Sequence, residues 1–114
     1  MHEKSSNSVQ IFYPEFSKKD ILNILLKNIH RLNEVLPLAK VILFGSYAKG
    51  RYSIESDVDL LIVYKGDRRS DVYSTVKKIL RIPRLEPHIY SEGEYEEMKD
   101  TIEKMLSDGC EVIW

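Results

Sequence analysis

The sequence predicts an α/β fold, a small single β-sheet of about four strands packed by about four helices. Three observations predict it. Apolar residues recur at helical spacing between 17 and 36. Two short, apolar, β-branched runs, at 40–44 and 58–64, stop at glycine-containing segments. Helix and strand signals then alternate to residue 114, the pattern of helices layered on one sheet.

The elements follow in order. Ser17 is placed as an N-cap with Asp20 three residues on, and Ile21, Leu22, Ile24, Leu25, Leu26, Ile29, Leu32 and Leu36 carry a broad apolar face up to Pro37. The first helix therefore spans about 17–35. Lys40 to Phe44 is a buried strand ended by Gly45, and Val58 to Tyr64 is a second strand ended by Lys65-Gly66-Asp67. One short helix and a loop fit between them. Ser70-Asp71 opens a further helix, with Val72, Val76, Ile79 and Leu80 apolar, that closes before Pro83. Leu85 to Tyr90 is a third strand, which Pro87 makes an edge strand or a bulged one. Ser91 and Glu94 form a second capping box before a helix reaching about Ser107, and Cys110 to Trp114 is a last short strand.

Composition narrows the function classes. At 114 residues the expectation is one domain, 1–114, with 1–15 a poorly ordered polar start. Basic and acidic residues number 17 and 18, so no basic excess exists to neutralise phosphates, which argues against a nucleic-acid partner. No apolar run approaches the roughly 18 residues a membrane span needs, and residues 1–10 lack a signal peptide's apolar core. The lone Cys110 excludes an internal disulfide, fits a cytoplasmic setting and reads as a small buried hydrophobe.

The chemistry concentrates between the first two strands. Gly45-Ser46 ends a strand and starts a helix, so backbone N–H groups point outward where phosphate oxygens can accept them. Glycine admits the phosphate to the backbone, the Ser46 hydroxyl can cap the helix or bind phosphate, and Gly50 permits a sharp exit. Lys49 and Arg51 flank this turn as candidate triphosphate contacts. Asp57 and Asp59 alternate with Val58, which puts both carboxylates on one strand face. Two such carboxylates repel each other unless a cation sits between them, and hard oxygen donors suit Mg²⁺ or Mn²⁺.

Gly45-Ser46-Tyr47-Ala48-Lys49-Gly50, five residues, then Ser56-Asp57-Val58-Asp59-Leu60 resembles the signature of the minimal nucleotidyltransferases of the DNA polymerase beta superfamily. The resemblance implies a nucleotidyltransferase fold, whose small β-sheet is mixed, and transfer of a nucleoside monophosphate, with AMP from ATP as the leading case, to an acceptor hydroxyl. In that family Gly45 and Ser46 would hold the triphosphate, and Asp57 and Asp59 the Mg²⁺ or Mn²⁺. Many members carry arginine where Lys49 stands; lysine keeps the charge and loses the fork. A third carboxylate on the next strand completes the family's site. Glu86 is the candidate, and His88, on the same strand face, is its alternate.

The resemblance also implies a partner. Stand-alone members act beside a small helical HEPN protein, as antitoxin to toxin, and transfer AMP to a tyrosine of that toxin. The broad apolar face of the first helix is compatible with such a partner, with a homo-oligomer, or with burial. Two alternatives stay open: a non-catalytic module that neutralises its partner by contact, and an aminoglycoside-type small-molecule enzyme. Tyr47, Tyr52 and Tyr64 read as packing residues or base-stacking ones, Glu55 as loop surface, and Arg68-Arg69 as a helix lead-in.

Overall fold

The structure is a computed structural model and describes residues 16–114; the expected polar start at 1–15 lies outside the described residues. Helix α1 (Lys18–Val35) begins with a complete capping box. Ser17 Oγ accepts from Asp20 N at 3.1 Å, and Asp20 Oδ2 accepts from Ser17 N at 2.9 Å. Both partners satisfy N–H groups that a helix start otherwise leaves unpaired. Ile21, Leu25, Ile29 and Leu32, spaced at three and four residues, are buried.

The chain then enters β1 (Leu38–Phe44), which starts two residues earlier than its composition suggests. Leu38 N donates to Asn33 Oδ1 at 2.9 Å and Lys65 N to the Pro37 carbonyl at 2.8 Å, so the backbone is already tied in extended form. Helix α2 (Gly45–Lys49) follows and ends on Gly50 in the left-handed region, φ 73°, as the sharp exit requires. Strand β2 (Val58–Tyr64), helix α3 (Val72–Leu80) and strand β3 (Leu85–Ser91) come next.

The C-terminal helix expected over 91–107 is two helices, α4 (Glu92–Glu97) and α5 (Lys99–Leu106). The second capping box stands, with Ser91 as N-cap and Glu94 as its partner. The helix breaks at Met98, φ −108° and ψ 16°. The two pieces differ in burial: α4 has no fully buried residue, though Tyr95 packs against the second core, whereas α5 carries Ile102 into it. Strand β4 (Cys110–Val112) is shorter than the expected run to Trp114. Beyond it Ile113 and Trp114 N–H groups both donate to the Val41 carbonyl, which ends the ladder.

The sheet order is β3-β2-β1-β4. β1 pairs antiparallel with β2 and β4, while β2 and β3 run parallel, so the sheet is mixed as expected. β3 is an edge strand. Its ladder runs unbroken through Pro87, so there is no bulge, and the missing N–H costs nothing on the open side. Side chains alternate across the sheet. Val41, Leu43, Leu60, Ile62, Tyr64 and Leu85 meet α1 and α3 residues in the main core. Ile42, Phe44, Leu61 and Val63 meet Ile102 on the other face, with Tyr95, Met105 and Leu106 against them. No helix among the described residues is long and apolar enough to cross a membrane.

Candidate active site

The register of the central hairpin builds the site. Phe44, the last residue of β1, is the Cα partner of Asp59 in β2, so the turn at Gly45 lies against the Asp59 side chain. Gly45 has φ 75°, a conformation that side chains other than glycine's rarely adopt. A Cβ there would collide with Asp59 Oδ2 and stand 3.2 Å from Asp59 Cβ and Cγ. Glycine therefore serves the carboxylate as well as the turn. Ser46 is the second residue of α2, and the helix has no side-chain cap, so of its two expected roles Ser46 does not perform the capping one.

Asp57 sits one residue before β2, on an exposed loop rather than in the strand, while Asp59 is half-buried inside it. Asp59 and Glu86 are Cα partners across the parallel ladder, so their side chains leave the same sheet face, and His88 leaves it two residues on. His88 Nε2 is 3.3 Å from Asp59 Oδ1, and its ring packs at 5.0 Å, tilted, on Phe44. Glu86 is exposed. It is His88, then, that makes the close contact with Asp59.

Asp57 is met by a residue that no sequence signal marked. Arg84 Nη2 lies 3.2 Å from Asp57 Oδ1, Arg84 Nε donates to the Ser56 carbonyl at 3.3 Å, and Nη2 also donates to the Glu55 carbonyl. Arg84 and Ser56 are separated by 28 positions, so only the fold joins them. Among the described residues no three of these carboxylate, imidazole and thiol groups converge as a metal-holding cluster. The donor set nonetheless fits a hard cation. Asp57 and Asp59 keep their carboxylates at the solvent boundary, oxygen donors of the class that Mg²⁺ and Mn²⁺ prefer, while Arg84 and His88 each contact one of them.

The flanking cations divide. Lys49 Nζ is drawn 2.7 Å from Asp108 Oδ2, at the turn before β4, and its hydrogen bond holds the Asp108 carboxyl below the usual carboxylate range. Arg51 is exposed, and its N–H donates to the Ser46 carbonyl at 2.9 Å, closing the α2 exit. Tyr47 and Tyr52 stack on each other with ring centroids 4.2 Å apart, and serve packing. Tyr47 OH donates to the Phe16 carbonyl, and Tyr52 OH accepts from Lys18 N, both at 2.9 Å, pinning the start of α1 beside α2. Tyr64 is buried and accepts from Arg69 N, while Arg69 pairs with Asp71 ahead of α3. Cys110 is exposed, not buried: it belongs to β4, which among the described residues is an edge strand with no neighbour on one side.

The sequence profile of the nucleotidyltransferase domain matches residues 22–112. The chain belongs to that family. The match takes in the Gly45-Ser46 turn, both aspartates, Glu86 and His88. A Methanocaldococcus jannaschii protein named as a candidate protein adenylyltransferase is 52% identical over 48 residues, which are 42% of this chain and 39% of that protein. A second protein of the same organism, named likewise, is 65% identical over 26 residues, 23% of this chain and 26% of that one. The chain thus spans well under half the length of these curated relatives. A structure from Sulfolobus solfataricus, named as a candidate nucleotidyltransferase, superposes with a TM-score of 0.55 at 25% identity, covering 85% of this chain and 82% of that one. Two toxin–antitoxin structures share the fold. One holds AMP-PNP (TM-score 0.55, 15% identity, 78% and 72% covered), and the other is a mutant MntA–HpeT complex (0.52, 15%, 87% and 73%). The nucleotidyltransferase fold with its mixed four-stranded sheet is as expected.

Proposed function

We propose that this nucleotidyltransferase moves AMP from ATP to a hydroxyl of a partner protein. The observation that carries the reading is the Phe44–Asp59 register, which sets the Gly45-Ser46 turn directly against a carboxylate of the Asp57/Asp59 pair. The turn's backbone N–H groups would bind triphosphate oxygens, with Ser46, Lys49 and Arg51 around it. Asp57 and Asp59, with Glu86 or His88 as the third donor, would hold Mg²⁺ or Mn²⁺, which supplies charge stabilisation at the reacting phosphoryl group. In the transfer, the acceptor oxygen bonds to the α-phosphorus, the bond from that phosphorus to the bridging oxygen breaks, and pyrophosphate leaves. Glu86, exposed on the same face as Asp59, takes the hydroxyl proton.

A protein acceptor is supported by the relatives' naming and by the toxin–antitoxin complexes that share the fold. The partner reading is a small helical protein of HEPN type. Leu26 leaves apolar surface on α1, 58% exposed, for it or for a second copy. A contact-only module is the second reading, favoured by the separation of Asp57, Asp59 and Glu86. The deciding experiment purifies the chain with its bound partner, adds ATP and Mg²⁺, and weighs the partner. A gain of one AMP, lost in Asp57→Asn/Asp59→Asn, is expected. Neutralisation of the partner that survives the double substitution, with no mass gain in the wild type, would instead establish the contact module.

A further inference from the structure

Arg84 stands out in the molecule for two independent reasons. Its backbone has φ 59°, in the left-handed region, yet it is not glycine. The other such residue among those described, Arg81, caps the C-terminus of α3 with its N–H on the Lys77 carbonyl. Arg84 is the third residue of the Ile82–Leu85 turn, after Pro83, closed by Leu85 N on the Ile82 carbonyl at 3.2 Å, and glycine is the residue such a position favours. What its backbone achieves is to carry the carbonyl to Val58 N at 2.9 Å, at the start of β2, while its side chain turns back over residues 55–57. The turn asks only for a positive φ, which glycine would supply at less cost; what an arginine adds there is the set of guanidinium contacts to residues 55–57.

The segment it covers has little else to hold it. Residues 51–57 form no helix or strand. Ser53 and Ser56 tie a small turn, with Ser53 N on Ser56 Oγ at 2.9 Å and Ser56 N on the Ser53 carbonyl at 3.1 Å. Nothing in that turn aims Asp57. The guanidinium does, through two main-chain carbonyls and one carboxylate oxygen, a task that its planar set of donors suits and a lysine ammonium does not.

We propose that Arg84 is a positioning residue that fixes the 55–57 loop so that Asp57 is presented as a metal ligand beside Asp59. This rests on the reading that Asp57 holds the divalent cation. Two effects of the guanidinium oppose each other. Its charge competes with a cation for Asp57, so removing it by itself would tighten metal binding. Its carbonyl bonds order the loop, so removing them loosens binding. The Asp57 contact is half-exposed, with side chains 52% and 51% accessible, and such pairs are weak. Ordering therefore outweighs competition, and loss of Arg84 weakens the site.

The test is Mn²⁺ binding to the full chain, measured by electron paramagnetic resonance without nucleotide, alongside thermal melting. Glycine is at ease at positive φ, so Arg84→Gly should leave the melting temperature unchanged or higher. The same variant should weaken Mn²⁺ binding about 10-fold, the scale on which groups that orient a ligand act. Arg84→Lys, which keeps the charge but not the fork, should also bind more weakly than wild type. Unchanged or tighter Mn²⁺ binding in Arg84→Gly, wild-type binding in Arg84→Lys, or a melting temperature that falls with binding would each overturn the positioning role. Asp57→Asn is the control. If it binds Mn²⁺ as wild type does, the metal reading itself falls.

Discussion

His88 reaches Asp59 from the edge strand, with Nε2 3.3 Å from Oδ1, while its ring rests on Phe44, the residue paired with Asp59 across the central hairpin. One imidazole thus ties the third strand to the carboxylate and to the strand that leads into the Gly45-Ser46 turn. His88→Phe keeps the ring contact and removes the bond to Asp59. It should lower Mn²⁺ affinity about 10-fold with a melting temperature close to wild type, whereas His88→Ala, which also loses the packing on Phe44, should lower both.

Gly45 and Gly50 offer a matched pair. Both have φ near 75°, but a Cβ at Gly50 meets nothing within 4 Å, whereas one at Gly45 strikes Asp59. Gly50→Ala should cost about 1–2 kcal/mol from backbone conformation alone. Gly45→Ala should cost about 1–3 kcal/mol more, the range for overpacking a tight contact, and should abolish transfer because Asp59 must move. Urea midpoints and an adenylylation assay measure the two effects.

The ion pair of Lys49 with Asp108 holds Lys49 against the turn before β4. If Lys49 contacts the triphosphate, it must leave Asp108 to do so, and an exposed pair yields readily. Asp108→Asn should lower KM for ATP about two- to fivefold, with kcat unchanged. Initial-rate kinetics over a range of ATP concentrations would show it, and an unchanged KM would remove Lys49 from the nucleotide site.

Tyr47 provides a pH dependence. Burial pushes its hydroxyl above its ordinary value near 10, with nearby Tyr52 adding to the rise and Arg84 opposing it. The folded state therefore holds the proton more tightly than the unfolded chain. Its contribution to stability is complete below pH 10, about the unfolded value, and is lost as pH rises through the folded one. Tyr47→Phe should be about 1 kcal/mol less stable at pH 8, having lost the bond to the Phe16 carbonyl. It should also decline less between pH 9 and 11 than wild type, as urea midpoints across that range would reveal.

Much of this was legible in the sequence because the signals are local. Both capping boxes, at Ser17 and Ser91, bridge residues three apart, and β2 came out residue for residue because an apolar run ended by Gly66 leaves little choice. The spacing of Gly45-Ser46 to Asp57 and Asp59 is likewise a property of one short segment, and it was enough to suggest the family. The break at Met98 was not legible, since no glycine or proline stands at 97–99 to mark it. Nor was the exposure of Cys110, which depends on β4 lying at the sheet's edge.

By itself, then, the sequence determined the alternation of helices and strands, the Gly45-Ser46 turn and the spacing of the two aspartates, all through relations between near neighbours in the chain. Only the tertiary structure decided which side chains hold those aspartates. Arg84 comes to Asp57 and His88 to Asp59 because β3 lies parallel beside β2, and Asp108 takes Lys49 because β4 lies beside β1. Such pairings rest on strand order and register, which the burial of both sheet faces sets, and a charged residue read alone carries no record of the distant strand it will meet.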